Sequence, residues 1–346
     1  MNTRERLHHH GILRLGTPKR GFIYKYAGNE NGHKVSAIDL ARIAELKVPP
    51  AWTEVAINRA HTGRVQAVGK DAAGRWQYIY SAAHVRGQQR RKFHRLIRFG
   101  ENLPQLRRAV ARHLGQKDLS RDCVLAAILR ILSVSFMRPG SEIYANENSS
   151  YGIATLRPRH VSVKGDRVYF QFTGKSGVEQ TREIRDRQVA RIVRELLKRS
   201  NRRVFKYQGD TGGFVDVTSR DINSQIKLLM GRHFSAKDFR TWAGTLVCAC
   251  VLARMNEADG KKKRSRDRQL AAAIAETAAA LGNTPAVCRD AYVCPAVIAS
   301  FEKGEVIQNS FNSLQTLVSY RGTGLHAAEK ALLQLLKHQN SNGKHY

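Results

Sequence analysis

The sequence predicts an α+β protein in two parts: a small antiparallel β-rich N-terminal domain over residues 1–85, then a mostly α-helical domain over residues 86–346 that carries a three-stranded antiparallel sheet. Three observations predict this. The runs GRVQAVG and RWQYIY flank a Gly-containing turn, KDAAG, which is the pattern of a hairpin. Over 86–112, Arg86, Arg90, Arg91, Lys92, Arg95, Arg98, Arg107, Arg108 and Arg112 are opposed only by Glu101, a change of composition that reads as a basic connecting segment leading into helices. From 119 onward the apolar residues mostly follow helical spacing, and that spacing breaks for one stretch of alternation.

Taken in order, WTEVAIN is a short apolar strand ahead of the hairpin. SRDCVLAAILRILSVSF opens on a Ser or Asp cap and is apolar on most faces, so it is a buried helix. In HVSVKGDRVYFQFTGKSGVEQTREI, Val168, Phe170 and Phe172 alternate between the turns KGD and GKSG, which predicts three short antiparallel strands with Lys175 at a hairpin tip. Helices resume at RQVARIVRELLKR, SRDINSQIKLLMGR and FRTWAGTLVCACVLARM. GKKKRSRDR, residues 260–268, reads as a mobile basic linker, and QLAAAIAETAAALG as an Ala-rich helix ending at Gly282. NTPAVCRDAYVCPAVIASF reads as two short helical pieces meeting at a proline, with Tyr292 near the joint. HAAEKALLQLLKH closes the chain as an amphipathic helix.

A length of 346 residues is enough for two domains and a sizeable core. Mean hydropathy is -0.43, and no run of eighteen apolar residues predicts a membrane span. MNTRERLHHHGILRL lacks the apolar region of a secretory leader. The charge says most about partners: 59 Lys+Arg against 28 Asp+Glu leave +31, which calls for a polyanion, nucleic acid first. The five cysteines, Cys123, Cys248, Cys250, Cys288 and Cys294, include no C-x-x-C pair. They read as small buried hydrophobes in a reducing compartment rather than as zinc ligands or disulfides.

Three short blocks can carry chemistry. In FMRPGSEIY, Arg138 follows a buried helix and Gly140 lets backbone approach a ligand; a plain partner for the helix dipole is the alternative. FTGKSG ends like a phosphate-binding loop, but G-x-x-x-x-G-K-S needs Gly where Tyr169 stands, and the context is strand to strand, so no nucleotide site follows. Lys175 on that turn can reach into a groove and donate a proton, or be an ordinary exposed lysine. In SAKDFRTWAGT, Lys237 and Arg240 share a helical face and can address one phosphate, while Asp238 can pair with a neighbouring cation. Tyr292 adds a phenol, whose ordinary pKa of about 10 makes it a weak nucleophile at neutral pH. It attacks a phosphodiester only where the transition-state charge is stabilised and the leaving oxygen is protonated. Two arginine forks suit the non-bridging oxygens, and a lysine suits the proton donor. Arg138, Lys175, Arg240 and Tyr292 supply these parts without requiring a metal.

The ordered set resembles the type IB DNA topoisomerases of the small poxvirus-like and bacterial kind. KVPPAWTEVAI and GRVQAVGKDAAGRWQYIY resemble their N-terminal domain. KFHRLIRFGENLPQLR, FMRPGSEIYANENSSYGIATLRPRHV, FTGKSG, KDFRTWAGT and LGNTPAVCRDAYVCPAV resemble their catalytic domain, together spanning roughly residues 20 to 305. The resemblance implies a two-lobed clamp acting as a monomer on duplex DNA. Tyr292 would attack the scissile phosphate to form a DNA-(3'-phosphotyrosyl) intermediate. Arg138 and Arg240 would hold the non-bridging oxygens, and Lys175 would protonate the leaving 5'-hydroxyl, supported by Lys237. Asn283, nine residues before the tyrosine, takes a position where poxvirus enzymes have His; its amide can donate a hydrogen bond but cannot titrate. A helix N-cap before Pro285 is the alternative for Asn283.

By the same resemblance Gln77, Tyr78 and Tyr80 would face the major groove, and Gly140 and Tyr144 would lie against the DNA. The alternative for Tyr78 and Tyr80 is a core face of the hairpin. No ATP or other cofactor is implied, because the phosphotyrosyl bond keeps the energy of the phosphodiester; a divalent metal is optional and no metal ligand set is expected. The implied location is bacterial cytoplasm and nucleoid, or virion and host cytoplasm. Two rivals remain. A tyrosine recombinase typically has His-x-x-Arg at the second arginine, where KDFR puts Lys237. A non-catalytic DNA-binding protein explains the charge but not the ordered set. The shortness of the Tyr292 segment and Pro295 after it predict a tyrosine poorly placed without DNA.

Overall fold

A computed structural model describes residues 1–28, 34–259, 263–308, 311 and 313–341. The chain divides into two compact units, Met1–Lys92 and Phe93–Tyr346.

The first unit is built on one antiparallel sheet. Its elements are α1 (Thr3–His10), β1 (Ile12–Thr17), β2 (Gly21–Tyr26), α2 (Ala37–Glu45), β3 (Thr53–Ile57), β4 (Val65–Lys70), β5 (Trp76–Tyr80) and the start of α3 (Ala82–Leu114), with strand order β2-β1-β3-β4-β5. Both faces are covered, so the strands carry apolar residues on both sides rather than alternating cleanly. Ile12, Ile43, Val55, Ile57 and Ala67 pack together in one cluster, and Leu7, Ala56, Val65 and Val68 in another. The predicted hairpin is β4 and β5. Asp71 holds its turn by accepting from the backbone N–H of Ala73 and Arg75, each at 3.0 Å. β1 and β2 were not legible individually, because charged Arg14 and Lys25 interrupt their short runs. Arg14 is nevertheless buried, and its guanidinium donates to the carbonyls of Pro49 (3.1 Å) and Trp52 (2.7 Å).

The basic stretch 86–112 does not lead into a helix but is itself helical, part of the 33-residue helix α3. Arg, Gln and Lys are good helix formers, and Leu96, Phe99, Leu103, Leu106 and Val110 bury one stripe of it at three- and four-residue spacing. The change of composition therefore marked a solvated helix face. The division between the units falls inside this helix.

The second unit continues with α4 (Arg121–Ser135), α5 (Glu142–Asn148), β6 (Val161–Lys164), β7 (Arg167–Thr173), β8 (Glu179–Arg185), α6 (Arg187–Lys198), β9 (Lys206–Gln208), β10 (Phe214–Asp216), α7 (Ser219–Met230), α8 (Ala236–Asp259), α9 (Lys263–Leu281), α10 (Pro285–Tyr292), α11 (Pro295–Glu302), α12 (Leu314–Val318) and α13 (Ala327–Ser341). α4 is buried nearly all round, as its apolar sequence requires, and packs against α6, α7, α8 and β8. β6-β7-β8 form the predicted antiparallel sheet, with Val168, Phe170 and Phe172 buried on one face. The β9–β10 ribbon was not foreseen; its strands have three residues each, too few to show a period. The linker reading of 260–268 falls partly on residues 260–262, outside the described residues. The rest of that stretch belongs to α9, whose charged start extends the Ala-rich helix.

Candidate active site

The site grows from the C-terminal ends of two helices. α4 stops at Ser135 because Phe136 turns left-handed, with φ 57°. α9 stops at Leu281, and Gly282 follows with φ +63°, a conformation that favours glycine. Helix ends leave carbonyls without intrahelical partners. Arg240, from the second turn of α8, reaches both ends: Nη1 donates to the Phe136 carbonyl and Nη2 to the Leu281 carbonyl at 2.9 Å. Arg240 is only 3% exposed.

Arg138 lies just beyond α4. Its strand of chain is pinned by Ile153 N–H to the Arg138 carbonyl (3.0 Å) and Ala154 N–H to that of Pro139 (2.9 Å). Two glycines make this possible. A Cβ on Gly152 would stand 2.5 Å from the Gly140 Cα, and Gly140 has φ +85°. The Arg138 guanidinium then donates through Nη2 to Asn283 Oδ1 at 2.5 Å. Asn283 does not cap α10: Thr284 takes the N-cap, which leaves the Asn283 side chain to the cluster. Arg240 Nε and Asn283 Nδ2 are buried donors with no hydrogen-bond partner. Such donors typically cost about 1–3 kcal/mol each when left unmet, so they are poor structural choices and good ones for holding an oxygen-rich ligand.

Tyr292 ends α10 and is half-buried. Its carbonyl accepts from Thr245 Oγ1 at 3.0 Å, and a Cβ on Gly244 would stand 2.8 Å from the Tyr292 Cβ, so α8 seats the residue closely. The Arg240 guanidinium carbon is 4.9 Å from the tyrosine ring centroid. Burial, the largest influence, disfavours the phenolate. Arg240, then Arg138 and Lys237, favour it, and the balance lies below the ordinary phenol value. The cations strain one another in turn: burial first, then Arg138, brings Arg240 down to about 10, which leaves it charged at neutral pH.

The other predicted residues are placed less tightly. Lys237 is exposed in the first turn of α8 and acts on Tyr292 through its charge. Asp238 turns away from it and is buried, accepting from Ser235 and pairing with Arg95 at 3.0 Å. Lys175 stands at the predicted hairpin tip, exposed, on a turn where Ser176 and Gly177 have φ 63° and 74°. Among the described residues it makes no hydrogen bond or ion pair with the cluster. Tyr144 is exposed on α5. In the first unit, Tyr78 and Tyr80 are exposed and stacked at 6.3 Å, so they are not core. Alternation puts Gln77 on the other face of β5, where it donates to Asp71 at 2.9 Å.

Reasoning from sequence missed Arg182, Gln180, Thr245 and Gly152. The first two had a signal: polar residues at inward positions of the strand that pairs with Phe170 and Phe172. The cysteines are all buried, with burial pushing Cys248 and Cys250 up to about 12 and Cys288 to about 11, as small inert hydrophobes should be. Among the described residues, no group of three or more His, Cys, Asp or Glu is arranged to hold a metal.

Residues 82–316 match the family described as eukaryotic DNA topoisomerase I, catalytic core, and residues 21–71 match bacterial DNA topoisomerase IB, N-terminal domain. The chain is 34% identical over 277 residues to DNA topoisomerase 1B of Acanthamoeba polyphaga mimivirus, covering 79% of this chain and 82% of that one. It is 23% identical over 261 residues to DNA topoisomerase 1B of vaccinia virus (strain Copenhagen), covering 74% and 80%. With its N-terminal and catalytic parts both matched, and a relative aligned over most of both lengths, the chain belongs to the type IB DNA topoisomerases, enzymes that relax supercoiled DNA.

Proposed function

We propose that the chain relaxes supercoiled duplex DNA by transient cleavage of one strand, with Tyr292 as the nucleophile. The phenolate oxygen bonds to the scissile phosphorus and the bond to the 5'-oxygen breaks, leaving a DNA-(3'-phosphotyrosyl) intermediate. Lys175 gives its proton to the departing 5'-oxygen. The cut strand rotates under torsion. The 5'-hydroxyl then attacks the phosphotyrosine, returns its proton, and restores the phosphodiester.

The observation that carries this reading is the Tyr292 ring held beside a buried arginine that has no carboxylate partner among the described residues. Arg240 and Arg138 hold the non-bridging oxygens, and Asn283 donates its unmet amide N–H to one of them. Lys237 supports proton delivery. Residues 86–346 act as the catalytic part, and residues 1–85 as a DNA-binding part. There Gln77, Tyr78 and Tyr80 meet the duplex from two faces of one edge strand, while Gly140 and Tyr144 of the catalytic part lie along it. The enzyme works as a monomer clamped on duplex DNA, requires no ATP or other cofactor, and tolerates a divalent metal without needing one. Its place is the bacterial cytoplasm and nucleoid, or the virion and host cytoplasm for a viral source. Among the described residues, no helix is long and apolar enough to cross a membrane.

The test is relaxation of negatively supercoiled plasmid with EDTA and no ATP. Wild type should relax it and Tyr292→Phe should only bind it. A wild type that binds without relaxing would overturn the reading. Relaxation that demands paired sites would favour a recombinase.

A further inference from the structure

β8 presents Gln180, Arg182 and Ile184 on one face, because side chains alternate along a strand. Ile184 is apolar and buried, as a core-facing residue should be, but Gln180 is only 7% exposed and Arg182 half-buried. Neither has a part in the chemistry above.

Arg182 is committed to other protein groups. Nε donates to the Ser135 carbonyl (3.2 Å), Nη1 to that of Thr181 (2.9 Å), and Nη2 to Gln180 Oε1 (2.9 Å) and the Ala280 carbonyl (3.3 Å). Ser135 ends α4 and Ala280 lies in the last turn of α9. These are the helix ends beyond which Arg138 and Asn283 project. Arg240 ties the neighbouring carbonyls of Phe136 and Leu281. The two guanidiniums are thus parallel ties between the same two ends. With its donors so engaged, Arg182 has no open fork for a phosphate, and burial with the nearby Arg138 charge lowers its pKa.

The bond to Arg182 also orients the Gln180 amide. The stem of Gln180 lies against Gly174, where a Cβ would stand 2.9 Å from Gln180 Cγ. Its amide lies against Gly282, where a Cβ would stand 2.5 Å from Oε1 and 2.7 Å from Nε2. Gly174 directly precedes Lys175, and Gly282 directly precedes Asn283. One buried side chain therefore bears on the backbone just ahead of two groups of the site. The Lys175 turn needs such support: it is exposed, and its backbone is closed by Gly174 N–H to the Val178 carbonyl at 2.8 Å. A proton donor that wanders by an ångström loses much of its advantage.

We propose that Gln180, oriented by Arg182, is a positioning residue that sets the Lys175 turn against the Gly282–Asn283 turn, so that the ammonium meets the leaving oxygen. This rests on the reading of Lys175 as the proton donor.

The experiment compares single-turnover cleavage of one duplex bearing either oxygen or sulfur as the 5'-bridging atom of the scissile phosphate. A thiolate departs without being protonated, so the oxygen-to-sulfur rate ratio reports proton delivery alone. Damage common to both substrates cancels. Gln180→Leu should lower that ratio by about tenfold or more, within the range that general-acid catalysis commands. Gly174→Ala, whose methyl presses on Gln180 Cγ, should lower it too. Gly174→Ala combined with Gln180→Ala should do no worse than either alone, because the two changes act through one contact. An unchanged ratio in Gln180→Leu, or multiplied effects in the double variant, overturns the proposal. Lys175→Ala separates the two ideas. If its ratio does not fall, the acid reading of Lys175 fails. If it falls while that of Gln180→Leu does not, the positioning role alone fails.

Discussion

Helix α8 carries two environments on opposite sides, and they treat buried arginine differently. Trp242 and Arg240 are two residues apart, about 200° around a helix. On the Trp242 side, Arg107 forms a bidentate pair with Glu329, both bonds at 2.8 Å, and the Trp242 ring N–H donates to the same carboxylate at 3.2 Å. Glu329 is 1% exposed and also accepts the His326 backbone N–H. The Arg107 and Glu329 charges meet one another, and the result is a brace holding α3, α8 and α13 together. On the Arg240 side, no carboxylate among the described residues pairs with the guanidinium. The guanidinium meets carbonyls, the tyrosine ring and other cations, and a buried N–H is left over. A closed ion pair serves the fold. A surplus of buried positive charge lowers stability unless an anion arrives, which suits the proposed role of this side of α8 in holding a phosphate.

The comparison can be broken in four ways. Tyr292→Phe should have the largest effect, abolishing covalent complex and plasmid relaxation while leaving gel-shift affinity near wild type. Glu329→Ala removes one partner of the closed pair and should cost about 3–5 kcal/mol in denaturant unfolding. Its cleavage rate per folded molecule should change little. Arg240→Ala should do the reverse, slowing single-turnover cleavage by about 10²–10³, equivalent to about 2.7–4 kcal/mol of transition-state stabilisation. Its midpoint of unfolding should move much less than that of Glu329→Ala. If Arg240→Ala unfolds as readily, the two sides of α8 are alike and the distinction fails. Lys237→Ala gives the smallest and most specific effect. Lys237 helps hold the phenol below its ordinary value, so removing it raises the pKa of Tyr292. The cleavage pH profile should shift toward alkaline pH, with the deficit at neutral pH closing as pH rises. An unshifted profile would remove Lys237 from the electrostatics of the tyrosine.

Much of this was legible in the chain. The β7–β8 hairpin could be read because alternation and turn chemistry are local, and they put Lys175 at its tip. α4 could be read because an almost wholly apolar helix has nowhere to be but inside. Arg138, Lys175, Arg240 and Tyr292 could be chosen because their types match the needs of phosphoryl transfer, whereas Asn283 was singled out only by the family resemblance. The misreadings also have local causes. Charge density in 86–112 hid that the segment joining the two units is itself helical, since a long solvated helix face and a basic linker look alike in composition. The expectation for Tyr292 was drawn from its short helix alone, which leaves out what packs against it. Gly244 and Thr245, far away in sequence, supply its seat.

By itself the sequence determined the periods, the caps, the excess of positive charge and the inventory of reactive groups, because these depend on neighbours along the chain. Tertiary structure decided that two helix ends meet under two arginines, that Asn283 bonds Arg138 rather than capping a helix, and that Arg240 meets carbonyls where Arg107 meets a carboxylate. It also decided that Gln180 bears on two turns at once. Those outcomes depend on which groups share a small buried volume, where the cost of unmet charge is high and the distance between residues along the chain has no bearing.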